Sequence, residues 1–400
     1  MRICMYTETA LPMIGGQEIT VDALARQFLA AGHQTVVLAP NPRSALRKAG
    51  WRKADNLLPY TVVRHPRFIS TRRLIDPYAY FLKRLHRSHG FDILHCHSTY
   101  PTGYLGTRVA RSLDVAVVIA SQGGDVTPTN SKLSQERVLR SNVEALSAAD
   151  ALVAISDFTA NGYRRLAPAS RPAVQIPNGV DTIELSRAAM RPDDLDPDIQ
   201  PGRYVLFIGR LSHRKGVDLL IEAFGKIPGE ERPLLVIAGD GEERSALERR
   251  VAELGLTSAI RFAGMAEHGR KTFLLQNSLF SVAPSREWES FHLVVLESFA
   301  AGRPVITTRL PGFTSLVCHE ETGWLVEPES PEALAAAVRA AVADAPLRER
   351  MGRQAREEAE RFDWEIVARS YLDLFARLIA ERQAARKPSA GRRNASSAAR

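Results

Sequence analysis

Val205-Leu-Phe-Ile-Gly-Arg-Leu-Ser-His-Arg-Lys-Gly-Val-Asp-Leu-Leu-Ile-Glu-Ala-Phe224 holds the unit from which the fold can be read. A short apolar run, Val205–Ile208, has the length of a buried strand. A basic turn follows from Gly209 to Gly216, and a helix over Val217–Phe224 closes the unit. Working outward, strand signatures recur at Leu234–Ala238, Ile260–Phe262, Leu279–Ala283 and Val305–Thr307, with helical stretches between them. Helix ends are marked. Gly255 follows the helix Glu242–Leu254 as a left-handed terminator, and Ser330-Pro331-Glu332 opens the next helix as N-cap, first-turn proline and dipole-favoured acid.

The preceding part of the chain repeats the pattern. Strands are expected at Ile3–Tyr6, Thr35–Leu38, Ile93–Cys96, Val115–Ala120, Ala151–Ile155 and Ala173–Ile176, and Val21, Leu24, Ala25, Phe28 and Leu29 share one helix face. β-Branched runs that alternate with helices imply parallel sheets covered on both sides. From Asp181 to Gly202 the pattern lapses into Asp-, Pro- and Arg-rich sequence, the signature of a linker. The fold class is therefore α/β, with two Rossmann-like doubly wound domains facing across a cleft. Residues 1–185 form the first domain and 200–362 the second. A crossover helix over 363–382, with Trp364, Val367, Tyr371, Leu372, Phe375 and Leu378 on one face, packs back toward the first domain.

Composition narrows the function classes. The 400 residues suit two or three domains, and an apolar share of 45% with 24% charged residues is that of a globular protein. Cys4, Cys96 and Cys318 are too few and too scattered for a zinc site or a disulfide framework, which points to a reducing cytosol. No apolar run approaches the roughly 20 residues of a membrane span. The formal charge of +8 is uneven: residues 41–89 carry +10 and residues 381–400 carry +5. The second of these continues into a basic tail, 383–400, whose Ser, Ala and Arg content implies disorder. A basic isoelectric point alone suggests nucleic acid, but one patch and one tail without a recognition module argue against it.

Two segments carry chemistry. Arg210 lies at a strand's carboxyl end and Lys215 near a helix start, and two cations beside a helix N-terminus suit a pyrophosphate. A solvated basic turn is the plainer alternative. The other segment is Pro284-Ser-Arg-Glu-Trp-Glu289-Ser290-Phe291-His292-Leu293-Val-Val-Leu-Glu297. Glu289 falls in a loop and Glu297 inside the helix that follows, so one acid can reach sugar hydroxyls and the other a ribose. N–H groups around Phe291, His292 and Leu293 would face a phosphate. The plainer alternative is an N-cap carboxylate plus a surface glutamate.

Together these segments resemble the retaining glycosyltransferases of family 4, which have the GT-B fold (glycosyl transferases group 1). The resemblance covers nearly the whole chain except the last twenty or so residues. Its hallmark, two glutamates separated by seven residues, is matched by Glu289 and Glu297. Gly209–Gly216, Gly15-Gly16-Gln17-Glu18, Gly32-His33, Ile176–Asp181, Ala238–Gly241 and Ala301–Val305 are also family-like and fall in order. The resemblance implies a metal-independent hexosyltransferase that uses a UDP-, GDP- or ADP-sugar, needs no cofactor and retains anomeric configuration. Arg210 and Lys215 would hold the donor diphosphate, Glu289 the donor sugar and Glu297 the ribose, with Gly16, Phe291, His292 and Leu293 lining the donor. Gly15, His97 and Gln122 would face the sugar or the acceptor. The acceptor would be a glycan or a lipid-linked molecule, as in polysaccharide or glycolipid biosynthesis.

Two departures stand out. Members commonly have Gly where this chain has His292, and His-Gly-x-Asp where it has Gln122-Gly-Gly-Asp125. Gln can hold a hydroxyl but cannot shuttle a proton. His95-Cys-His97 lacks a third metal ligand, and a packed, hydrogen-bonded role for His97 is the plainer expectation. Aromatic residues interleaved with Lys83, Arg84 and Arg87 over 64–89 suit peripheral contact with an anionic membrane at its cytoplasmic face, against the alternative of a core-packed helix with a solvated basic face. A sugar-nucleotide epimerase of the same two-domain architecture is the rival reaction class.

Overall fold

In a computed structural model describing residues 1–13, 15–42, 50–66 and 75–386, the chain forms two parallel sheets with helices on both faces. The first contains β1 (Arg2–Tyr6), β2 (Gln34–Pro40), β3 (Thr61–His65), β4 (Ile93–Cys96), β5 (Ala116–Ser121), β6 (Ala151–Ala154) and β7 (Val174–Gln175). The second contains β8 (Tyr204–Ile208), β9 (Leu234–Ala238), β10 (Ile260–Gly264), β11 (Ser281–Ala283), β12 (Val305–Thr308) and β13 (Gly323–Val326). Strand orders are β3-β2-β1-β4-β5-β6-β7 and β10-β9-β8-β11-β12-β13. Each order reverses beside its first strand, between β1 and β4 and between β8 and β11. Doubly wound folds bind ligands at such switch points, beyond the strands' carboxyl ends.

Alternation explains the apolar runs. Ile3 and Met5 of β1 enter one core cluster, while Cys4 and Tyr6 enter the cluster on the opposite face. In β8, Val205 and Phe207 point one way and Tyr204 and Leu206 the other. A strand covered on both sides can afford no polar face.

Three expectations need correcting. β3 and β13 are absent from the sequence reading; both lie at sheet edges, where one side has no strand partner and the apolar run shortens. The stretch expected as a linker is ordered: Leu195 and Ile199 are buried in the second domain's core, and Arg191 Nη1 donates to the Ile199 carbonyl at 2.6 Å. The crossover helix runs past Arg382 to Arg386, and the remainder of the expected tail lies outside the described residues.

The chain crosses between domains twice, side by side. Val180 N donates to the Phe362 carbonyl at 2.9 Å, and Trp364 N donates to the Val180 carbonyl at 3.2 Å. A Cβ on Gly179 would come within 2.6 Å of the Trp364 ring, so glycine permits this close approach. After the second crossing, the helix Trp364–Arg386 buries Trp364, Val367, Tyr371, Leu374, Phe375 and Leu378 in the first domain. Leu374 joins that face, and Leu372 packs against it partly buried. Phe28 meets Tyr371 and Phe375 edge-on, and Arg382 pairs with Asp150 at 3.0 Å.

Candidate active site

Because β8 and β11 are paired, the basic turn after one lies beside the loop after the other. Gly216 has φ +65°, and a Cβ there would stand 2.1 Å from the Pro284 carbonyl oxygen. Only glycine lets turn and loop approach so closely. Lys215 Nζ consequently donates to Glu289 Oε1 at 2.7 Å, Ser285 Oγ donates to the same oxygen at 2.8 Å, and Arg214 Nη1 lies 3.3 Å from it.

Glu289 is 4% exposed. Burial pushes its carboxyl upward, but Lys215, then His292 and Arg214, outweigh this and hold it at about 2. The same burial lowers the Lys215 ammonium, with Glu289 opposing. Sequence reasoning gave Lys215 and Glu289 separate duties; the structure joins them in one ion pair. Arg210, in contrast, is exposed and has no hydrogen bond or ion pair from its side chain among the described residues.

His292 is buried, with Nε2 3.3 Å from Lys215 Nζ and its ring 4.8 Å from that of Phe313. Burial first and Lys215 second push it down to about 3, so it is neutral at ordinary pH. Accepting from Lys215 at Nε2 leaves the proton on Nδ1, which is buried without a partner among the described residues. His292 is also the N-cap of the helix Leu293–Ala300, and no side chain caps that end. Phe291 packs toward Phe362, with ring centroids 6.4 Å apart. Within the helix, Glu297 is buried and accepts from Lys271 Nζ at 2.5 Å. Lys271 lies on the helix His268–Asn277, and nothing in its local spacing marked it for the site.

Gly16 lies opposite Leu293, whose Cδ1 would be an ordinary 3.7 Å from an added Cβ, and a Cβ on Gly15 would meet the flexible end of Glu18. The protein itself therefore does not require either glycine. Gln122 Oε1 accepts from Asn178 Nδ2 at 2.8 Å, while Gln122 Nε2 is buried without a partner among the described residues. His97 is buried and packed, as the plainer expectation had it, with its ring 4.2 Å from that of His95, but neither ring nitrogen has a hydrogen bond among the described residues.

In the basic patch, Tyr78, Leu82 and Leu85 enter the core while Tyr80, Arg84 and Arg87 face outward. Residues 67–74 of that patch lie outside the described residues. No helix among the described residues is long and apolar enough to cross a membrane.

Two doubly wound domains facing across a cleft are the architecture of the GT-B fold. A model of Glycosyltransferase Family 4 matches residues 14–184, and one of Glycosyl transferases group 1 matches residues 197–358. The chain belongs to this family. Phosphatidyl-myo-inositol mannosyltransferase of Mycobacterium leprae is 30% identical over 385 residues, covering 94% of this chain and 96% of its own. Its counterpart in Mycobacterium tuberculosis is 28% identical over 390 residues, with the same coverage. Anabaena HepE in complex with UDP superposes with a TM-score of 0.77 at 19% identity, over 94% of this chain and 100% of the other, a likeness of fold alone. The full-length relatives are transferases, which disfavours the epimerase alternative.

Proposed function

We propose that this glycosyltransferase moves a hexose from a nucleotide-sugar donor to a glycan or lipid-linked acceptor, with retention of configuration and without a metal ion. The observation that carries the proposal is the cationic cluster around buried Glu289, beside an uncapped helix N-terminus. Arg210, unpaired at the end of β8, is available for a diphosphate, and Lys215 adds a second charge. Both would stabilise the negative charge that builds as the diphosphate leaves.

Glu289 is ionised throughout the physiological range and would accept hydrogen bonds from donor-sugar hydroxyls. One of its oxygens is already held by Lys215 and Ser285, so we assign it no nucleophilic role; the acceptor attacks from the donor's leaving face. Glu297, steadied by Lys271, would hold the ribose. His292 would offer an Nδ1–H rather than a charge, and Gln122 Nε2 a hydrogen bond to a hydroxyl.

The names of the full-length relatives make a mannosyl donor and an inositol-headed lipid the first pair to try. The outward Arg84, Arg87 and Tyr80 support peripheral contact with an anionic bilayer, such as the cytoplasmic face of a membrane. A thermal-shift panel of UDP-, GDP- and ADP-sugars tests the central reading, because a bound donor raises the melting temperature by mass action. One donor class is expected to raise it; no shift with any of them would overturn the proposal. Sedimentation with phosphatidylinositol vesicles at low salt tests the membrane part, and absence from the pellet would remove it.

A further inference from the structure

Trp288, immediately before Glu289, is gripped from across the cleft. Its indole N–H donates to Thr129 Oγ1 at 2.6 Å. Its ring lies parallel to that of Phe158, with centroids 5.6 Å apart and planes 4° apart. Thr129 follows β5, and Phe158 belongs to the helix Asp157–Leu166, so both partners belong to the first domain. On its own side of the cleft, Trp288 is tied to the site. The Arg214 guanidinium stands 5.0 Å over the indole, and Arg214 Nη1 donates to the Trp288 carbonyl at 3.1 Å. That same nitrogen lies 3.3 Å from Glu289 Oε1.

The neighbouring residues are equally confined. A Cβ on Gly123, in the first domain, would come 2.1 Å from Ser290 Oγ. Behind the loop, a Cβ on Gly312 would come 1.8 Å from the Glu289 carbonyl oxygen. Residues 288–290 are thus clasped between their own domain and the other one.

We propose that Trp288 is a positioning residue through which the first domain, when closed, sets Arg214 and Glu289 for the donor. The proposal rests on the reading of Glu289 as a donor-sugar contact. One arginine serves both the indole and the carboxylate, so fixing the ring fixes the direction of the guanidinium. Separating the domains would take away the parallel ring and the hydroxyl acceptor together. The indole would then be free to turn, and Arg214 would lose the surface over which it is held. Phe158 and Thr129 therefore influence the donor site without being placed in it.

The test is a double-mutant cycle on the full chain, reading nucleoside diphosphate release from whichever of the UDP-, GDP- and ADP-sugars gives the largest thermal shift. Trp288→Ala and Phe158→Ala are each expected to lower kcat/KM several-fold to about ten-fold, and the double variant no further than either alone. Trp288→Phe keeps the stack but loses the N–H, so it should match Thr129→Val, and combining those two should add nothing. A purely structural role would lower the melting temperature and leave kcat/KM of the folded enzyme unchanged; that result overturns the proposal. So would losses that multiply, or a Phe158→Ala enzyme as active as the parent while Trp288→Ala is impaired. Glu289→Gln separates the two levels: full turnover there defeats the donor-contact reading itself. An inactive Glu289→Gln beside a multiplicative cycle defeats the positioning role alone.

Discussion

Arg210 and Lys215 are both cations of one turn, yet they answer to different constraints. Arg210 is exposed and holds nothing, so Arg210→Ala should leave folding stability within about 0.5 kcal/mol while lowering turnover by about a hundredfold or more. Lys215 is the nearest cation to a buried carboxylate, and Lys215→Ala, which leaves that carboxylate Arg214 and Ser285 alone, should cost about 2 kcal/mol. Urea unfolding beside a turnover assay distinguishes them; equal unfolding midpoints for the two variants would contradict the contrast. The identities of these side chains were legible because charge, turn and helix start stand together in the sequence. Their partners were not. Lys271 reaches Glu297 from a separate helix, and Asn178 reaches Gln122 from beyond β7, distances along the chain that no local spacing encodes. The burial that turns His292 into a neutral ring is likewise a property of the assembled site.

At the scale of elements, the basic turn works only because it can lie against the loop after β11. Gly216→Ala combines a left-handed backbone with a Cβ aimed at the Pro284 carbonyl, so it should destabilise the protein by about 2 kcal/mol or more. Since the turn carries Lys215, donor-induced thermal shift should shrink along with stability; a variant with parental stability and an unchanged shift would refute this. Interior strands such as β5 and β8 could be read from sequence because both faces are buried and the apolar run is unbroken. β3 begins with an exposed residue and carries Arg64, whose guanidinium is paired with Asp55, so its run breaks where a strand signal should continue. β13 opens on Gly323, where a Cβ would meet the Val305 carbonyl at 2.3 Å; tight packing placed a weak strand former there.

For the whole molecule, the ordering of two doubly wound units was legible in the alternation of runs, whereas the grip of one unit on the other was not, since Trp288 reads as an ordinary loop residue. Buried histidines set a global pH response. Burial holds His97 and His292 down to about 3 and His95 well below its usual value, while in the unfolded chain each takes up a proton below about 6.5. The stability from keeping them neutral is complete above that pH and is lost as pH falls toward the folded values. Glu289, held at about 2, adds a loss that begins below the usual carboxylate range. Unfolding free energy should therefore fall steeply between pH 6 and 4, and His292→Asn should flatten the slope by up to about 1.4 kcal/mol per pH unit. Parallel slopes for variant and parent would show that His292 titrates normally. The paired crossings at Val180 and Phe362–Trp364 bear on biosynthesis. They make the second domain an insertion, its entry and exit touching, inside a first domain whose core is finished only by the helix Trp364–Arg386. On a ribosome adding roughly 5–20 residues per second, the first domain's apolar face would wait on the order of ten to forty seconds for that helix. The nascent chain is thus exposed to holdase chaperones during that interval, and the inserted domain, complete sooner, can fold before the one that was begun first.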